Sequence, residues 1–197
     1  MGGSIVERGT WPWIVRLSMG CGGSIIHPEY IITAAHCCEG RSASQIGVSV
    51  GEWNRAGSDI GEFSVTATQK WEHEQYGAVN GISYDVCLLK VPNLNTAQPD
   101  SCKTAVNNGP CWSPVCLPAM NAHAAPGRHC WVAGWGALSQ SCKCLAFWVK
   151  SHFGLKSNFY KKQHQRLNFW SKMEILTKNG NFDQKYKFWS YISKFWS

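Results

Sequence analysis

No run of apolar residues in this 197-residue chain approaches the roughly 18 that a membrane-spanning helix needs, so the sequence offers no helical span. Met1-Gly2-Gly3-Ser4 brings neither the basic start nor the apolar stretch of a signal peptide. Paired CxxC knuckles are missing, and His73-Glu74 is not followed by the second histidine of an HExxH helix, which excludes the familiar zinc arrangements. Charged residues make up only 16% of the chain against 44% hydrophobic, so it is no acidic disordered polymer. Proline does not occur after Pro126. Basic residues are scarce at first: residues 1–140 hold 8 Lys and Arg against 10 Asp and Glu, whereas residues 141–197 hold 11 against 2. The net charge of +7 therefore belongs to the last 57 residues and is not a property of the whole chain.

Cysteine is plentiful: ten, at 21, 37, 38, 87, 102, 111, 116, 130, 142 and 144. Without metal spacing, that number points to a disulfide framework and an oxidising compartment. Up to about Gln140 the chain consists of short β-type runs: Trp13–Leu17, Ser24–Ile26, Tyr30–Thr33, Ile46–Val50, Phe63–Ala67, Val86–Val91 and Trp131–Ala133. Turn residues such as Asn54-Arg55-Ala56-Gly57 and Asn107-Asn108-Gly109-Pro110 separate them, the pattern of an all-β sandwich or barrel. From Ser141 the composition changes to lysine and aromatics, with Phe-Trp-Ser at 169–171, 188–190 and 195–197. A weak helical pattern runs over 166–178, with Trp170, Met173 and Leu176 on one side. A basic-aromatic segment can serve a membrane surface or nucleic acid. Nothing recurs at a useful period, so the tail reads instead as unrelated coding sequence with no known partner, and no nucleic acid is expected.

Two short segments carry chemistry. In Thr33-Ala34-Ala35-His36-Cys37 a short apolar strand delivers a histidine among small residues, and a Cys21–Cys37 bridge would staple that loop to the strand at Gly22–Ile26. A general base needs such a fixed ring. In Tyr84-Asp85-Val86-Cys87-Leu88-Leu89-Lys90 an acid opens an apolar strand, where it needs a partner, and an imidazole N–H is a suitable one. The other histidines, His27, His73, His123, His129, His152 and His164, show no metal spacing. The acidic loops at Asp59–Glu62 and Glu72–Glu74 read as solvated surface, not as a calcium loop, so no metal or cofactor is expected.

Taken together, Trp11–Val15, Cys21–Ile26, Thr33–Cys37, Asp85–Lys90, Pro114–Pro118 and Cys130–Gly136 resemble, in order, six segments of the trypsin/chymotrypsin family of serine endopeptidases. The resemblance covers Gly2 to about Gly136. It implies a chymotrypsin-like closed barrel with its crossing segment at 1–118, the start of a second barrel at 119–140, and an irregular or weakly helical tail at 141–197. It implies His36 as general base, Asp85 as its orienting acid, polypeptide substrates or protein inhibitors as partners, and a secreted protein. If His36 and Asp85 hydrogen-bond, Cys38 and Cys87 come close enough to bridge, and Cys102 and Cys111 could pair across a Gly/Pro loop; sequence alone does not fix connectivity. Cys116 resembles a cysteine that bridges to a pro-segment and Cys130 one that bridges within the second barrel; Cys142 and Cys144 have no assigned role. Met1 stands where the second activation residue would be, so the N-terminal switch is expected to be absent.

The family's Gly-Asp-Ser-Gly-Gly nucleophile segment does not occur in the 197 residues. A base and an acid without a nucleophile cannot run acyl transfer. The expectation is a truncated, inactive form of a protease, or alternatively a non-catalytic homologue acting as a binding or decoy module.

Overall fold

The computed structural model describes residues 3–79, 81, 83–106, 110–118 and 131–136, with the backbone alone at 148–151. The chain divides into two compact units, Met1–Leu117 with His129–Gly154, and Pro118–Arg128 with Leu155–Ser197. Apart from Pro118, the described residues belong to the first. The turn at 107–110 and the helical pattern at 166–178 fall largely or wholly outside them.

Seven strands form one antiparallel sheet: β2 (Ile14–Leu17), β3 (Gly22–His27), β4 (Tyr30–Thr33), β5 (Gly47–Val50), β6 (Phe63–Thr66), β7 (Gln69–Glu72) and β8 (Cys87–Lys90), in the order β6-β5-β2-β3-β4-β8-β7. The end strands β6 and β7 are joined by only Ala67 and Thr68, so the sheet must curl until its edges meet. Ala67 N donates to Ile46 O at 2.9 Å and Thr68 N to Lys90 O at 2.7 Å, which ties that joint to both sides. This is the barrel-type, all-β architecture that the short runs and turns imply.

Alternation decides which side chains fill the interior. Along β2 and β5 every second residue is buried, giving Val15, Leu17, Val48 and Val50 to the core. Ile25, Ile31, Ile46, Leu89 and Leu94 are fully buried beside them. Each such side chain contributes about 1.5–3 kcal/mol relative to exposure. Gly23 lets β2, β3 and β4 close up: a Cβ there would lie 3.0 Å from Ile31 Cγ2 and 3.2 Å from both Ile32 O and Val15 Cγ2.

Arg16 and Glu52 form a charged pair in this unit. Arg16 Nε lies 2.5 Å from Glu52 Oε2, with the Glu52 side chain 3% exposed and that of Arg16 31%. Removing one partner strands a buried charge. Arg16→Met is expected to cost about 3 kcal/mol in urea unfolding, and Arg16→Met with Glu52→Leu to recover most of it.

A second sheet, order β1-β10-β9, pairs β1 (Ser4–Ile5), β10 (Trp148–Ser151) and β9 (Trp131–Gly134). Ser4 stands opposite Val149, and Trp148 opposite Gly134. The sequence assigned no strand after residue 140; Trp148-Val149-Lys150-Ser151 nevertheless pairs along the whole of β9. Trp135 packs with Val6, Trp11, Ile14 and Trp53, and its Nε1 donates to Trp53 O at 3.1 Å.

The acidic loop 59–62 is organised by its own backbone. Asp59 Oδ2 accepts from Trp53 N at 2.5 Å and Asn54 N at 2.7 Å, and Glu62 Oε2 accepts from Asp59 N at 3.1 Å. These carboxylates close the loop, a role the solvated reading did not give them.

Candidate active site

Strand register brings the two chemical segments together. In the β4–β8 pairing Thr33 lies opposite Cys87, so the exit of β4 and the entrance of β8 share one end of the sheet. After Thr33 one extended residue, Ala34, leads into the single-turn helix α1 (Ala35–Cys38), whose second residue is His36. Asp85 precedes Cys87 by two residues. The carboxylate meets the histidine at two points: Oδ1 accepts from His36 N at 2.8 Å, and Oδ2 lies 2.7 Å from His36 Nδ1. A carboxylate only accepts, so Nδ1 carries a proton, and in the neutral ring the lone pair is on Nε2. The His36 side chain is 58% exposed and that of Asp85 27%, and Nε2 lies 3.3 Å from Cys37 Sγ.

Disulfides frame the pair. Cys21 is joined to Cys37, Cys38 to Cys87 and Cys102 to Cys111. The first two bridges hold the residues immediately after His36, and the second links them to the strand that Asp85 opens. Thr33 Oγ1 adds a hydrogen bond to Gly22 O at 2.8 Å. Cys116 is exposed and has no disulfide partner among the described residues. Cys130, Cys142 and Cys144 lie outside the described residues.

Two residues that the sequence did not single out shape the acid's approach. Tyr84 has φ 55, a left-handed conformation that costs a tyrosine on the order of 1–3 kcal/mol, and Val86 N donates back to Tyr84 O at 2.8 Å across Asp85. The Tyr84 ring stacks on His73 at 4.8 Å with the planes 15° apart. His73 is buried and its Nδ1 accepts from Gln75 N at 3.1 Å, so the ring is held neutral, and burial lowers its pKa from 6.5. No motif signals this stack, because it joins a turn to a loop eleven residues on.

A depressed histidine pKa means that the unfolded chain takes up the proton more readily. The stability from His73 is therefore complete above 6.5 and is lost as the pH falls through 6.5 toward the lower folded value. His73→Phe, which keeps the stack without the proton, is expected to lose less stability than the parent between about pH 7 and about pH 5 in paired urea melts.

A curled antiparallel barrel that mounts a doubly hydrogen-bonded His–Asp pair at one end agrees with comparison to known proteins. The Trypsin family model matches residues 1–163. The chain is 34% identical to ovochymase-2 of Mus musculus over 145 residues, 71% of this chain and 22% of that protein. It is 32% identical to human transmembrane protease serine 5 over 146 residues, 69% of this chain and 28% of that protein. It is 31% identical to transmembrane protease serine 7 of Rattus norvegicus over 140 residues, 69% of this chain and 16% of that protein. The chain belongs to the trypsin family of serine proteases, and it spans less than a third of the length of these relatives. The match to residue 163 passes the point near Gly136 where motif resemblance stops, as does the pairing of Trp148–Ser151 with Trp131–Gly134.

Proposed function

We propose that this chain carries the base-and-acid half of a serine endopeptidase site. His36 is the general base, Asp85 holds its tautomer and stabilises the imidazolium, and polypeptides are the substrate class. The two-point contact of Asp85 with His36 N and Nδ1, which leaves Nε2 unengaged by the carboxylate, carries this reading. Three disulfides and membership of a protease family support an extracellular setting. Hydrolysis also needs a nucleophile and an oxyanion hole, which the family places in its Gly-Asp-Ser-Gly-Gly segment, and the 197 residues contain none.

These residues on their own are therefore expected to show no covalent labelling by a fluorophosphonate probe and no turnover of casein. Labelling at any serine would overturn that. A chimera that continues residue 136 into the nucleophile-bearing second barrel of a family relative is expected to hydrolyse peptides, and His36→Ala in it to lose at least about 10³-fold in kcat. A chimera that folds, takes the probe and ignores His36→Ala would remove His36 from the base role. A second reading is a binding or decoy module, and tight capture of a protein inhibitor of trypsin-type enzymes by the unlabelled chain is its expected sign.

A further inference from the structure

His36 Nε2 faces sulfur. It lies 3.3 Å from Cys37 Sγ, and the ligand atoms of Cys21, His36 and Cys37 all fall within 4.8 Å of one another. As a disulfide the two sulfurs offer a cation no charge. As two thiolates they would complete, with Nε2, a Cys2His donor set whose fourth position stays open. Around a tetrahedral zinc, with Zn–S about 2.3 Å and Zn–N about 2.0 Å, neighbouring ligand atoms stand roughly 3.5 Å apart. Nε2 and Cys37 Sγ are already within a few tenths of an ångström of that separation. The 6.3 Å between the Cα atoms of Cys21 and Cys37 leaves the freed sulfurs room to swing apart. The outer support is also present: a zinc-bound histidine typically donates its other N–H to a carboxylate, and Asp85 receives Nδ1–H here.

The geometry points to a thiol-gated metal site, in which Cys21, His36 and Cys37 bind zinc or a similar soft divalent cation once their bridge is opened. A dithiol supplies the electrons. It transfers two electrons and two protons to the bridge, leaves as a cyclic disulfide, and frees two Cys–SH groups. The cation then displaces both thiol protons and takes the Nε2 lone pair. Cys21 is partly exposed, whereas Cys38, Cys87 and Cys102 are fully buried and Cys111 is 4% exposed, so an attacking thiolate reaches the Cys21–Cys37 bridge first. The metal and a substrate proton would compete for one nitrogen, which makes the loaded state an off state; that consequence rests on the reading of His36 as general base, while the site itself does not.

The test uses the full 197-residue chain with Cys116, Cys130, Cys142 and Cys144 changed to serine, so that no other thiol contributes. Limited dithiothreitol treatment with alkylation mapping establishes which bridge is open, and Co2+ is titrated into both forms with Zn2+ as competitor. The opened form is expected to bind one Co2+ more than the oxidised form, with a thiolate-to-cobalt charge-transfer band. His36→Gln is expected to weaken that binding at least about tenfold, and Asp85→Asn about tenfold. Equal binding with the bridge open and closed, equal affinity in parent and His36→Gln, or opening of Cys38–Cys87 before Cys21–Cys37 would each overturn the proposal. His36 is exposed, and resistance of the buried bridges to the same dithiothreitol treatment reports that the variant is folded. The readout is the metal's own spectrum, so its failure leaves the base role of His36 untouched, and an inert chimera leaves the metal site untouched.

Discussion

Asparagine in place of Asp85 is expected to turn the His36 ring from its Nδ1–H form to its Nε2–H form. The carboxylate receives two N–H groups, from the backbone and the ring of His36. An amide has one acceptor oxygen and one donor NH2 to set against them. If the NH2 faced His36 N, two donors would collide, and a backbone N–H cannot give up its proton. The oxygen must therefore stay on His36 N and the NH2 must face Nδ1. The ring can answer by moving its proton to Nε2, and that orientation wins. Nε2 then has no lone pair for a substrate proton. In a nucleophile-bearing chimera the expected loss in kcat is about 10⁴-fold with little change in fold. On the present chain, 15N NMR of the His36 ring reads the switch directly: the protonated nitrogen moves from Nδ1 to Nε2. Retention of Nδ1–H in Asp85→Asn would remove Asp85 from the orienting role.

The His36–Asp85 pairing could be read from sequence because each residue sits at the end of an apolar strand, and two such strands pair through their side-chain pattern. Tyr30–Thr33 and Cys87–Lys90 present branched or large apolar residues, and burying them sets the register that brings the two ends together. Cys38–Cys87 follows from the same adjacency. Strand β7 was not legible, since Gln69-Lys70-Trp71-Glu72 alternates weakly and three of its four residues are polar; what makes it a strand is β8 beside it. Trp148–Ser151 is a similar case, four residues that acquire strand form from their neighbour. The His73–Tyr84 stack lay further from reach. A tyrosine at φ 55 has no sequence signature, and its conformation persists because ring stacking and the turn around Asp85 determine it from outside.

Among the three bridges of the described residues, loss of Cys38–Cys87 is expected to be the most costly, at about 4 kcal/mol. A cross-link restrains the unfolded chain more as its loop lengthens, and the separations are 49 residues for Cys38–Cys87, 16 for Cys21–Cys37 and 9 for Cys102–Cys111. The corresponding entropic contributions are about 4, about 3 and about 2.5 kcal/mol. Cys38 and Cys87 are both fully buried in the core, so paired alanines would also leave a small cavity that adds to the loss. Urea unfolding of the three double-alanine variants should rank them in that order. An inverted ranking would mean that native packing, not restraint of the unfolded chain, sets the worth of each bridge. The middle bridge separates structure from site. Cys21–Cys37 ties the helix bearing His36 to the start of β3, whereas Cys38–Cys87 joins that helix to the strand that Asp85 precedes. Removing Cys38–Cys87 should therefore broaden or weaken the His36 Nδ1–H resonance under conditions where the chain is still folded. Removing Cys102–Cys111, which is remote in sequence from both residues, should leave that resonance unchanged.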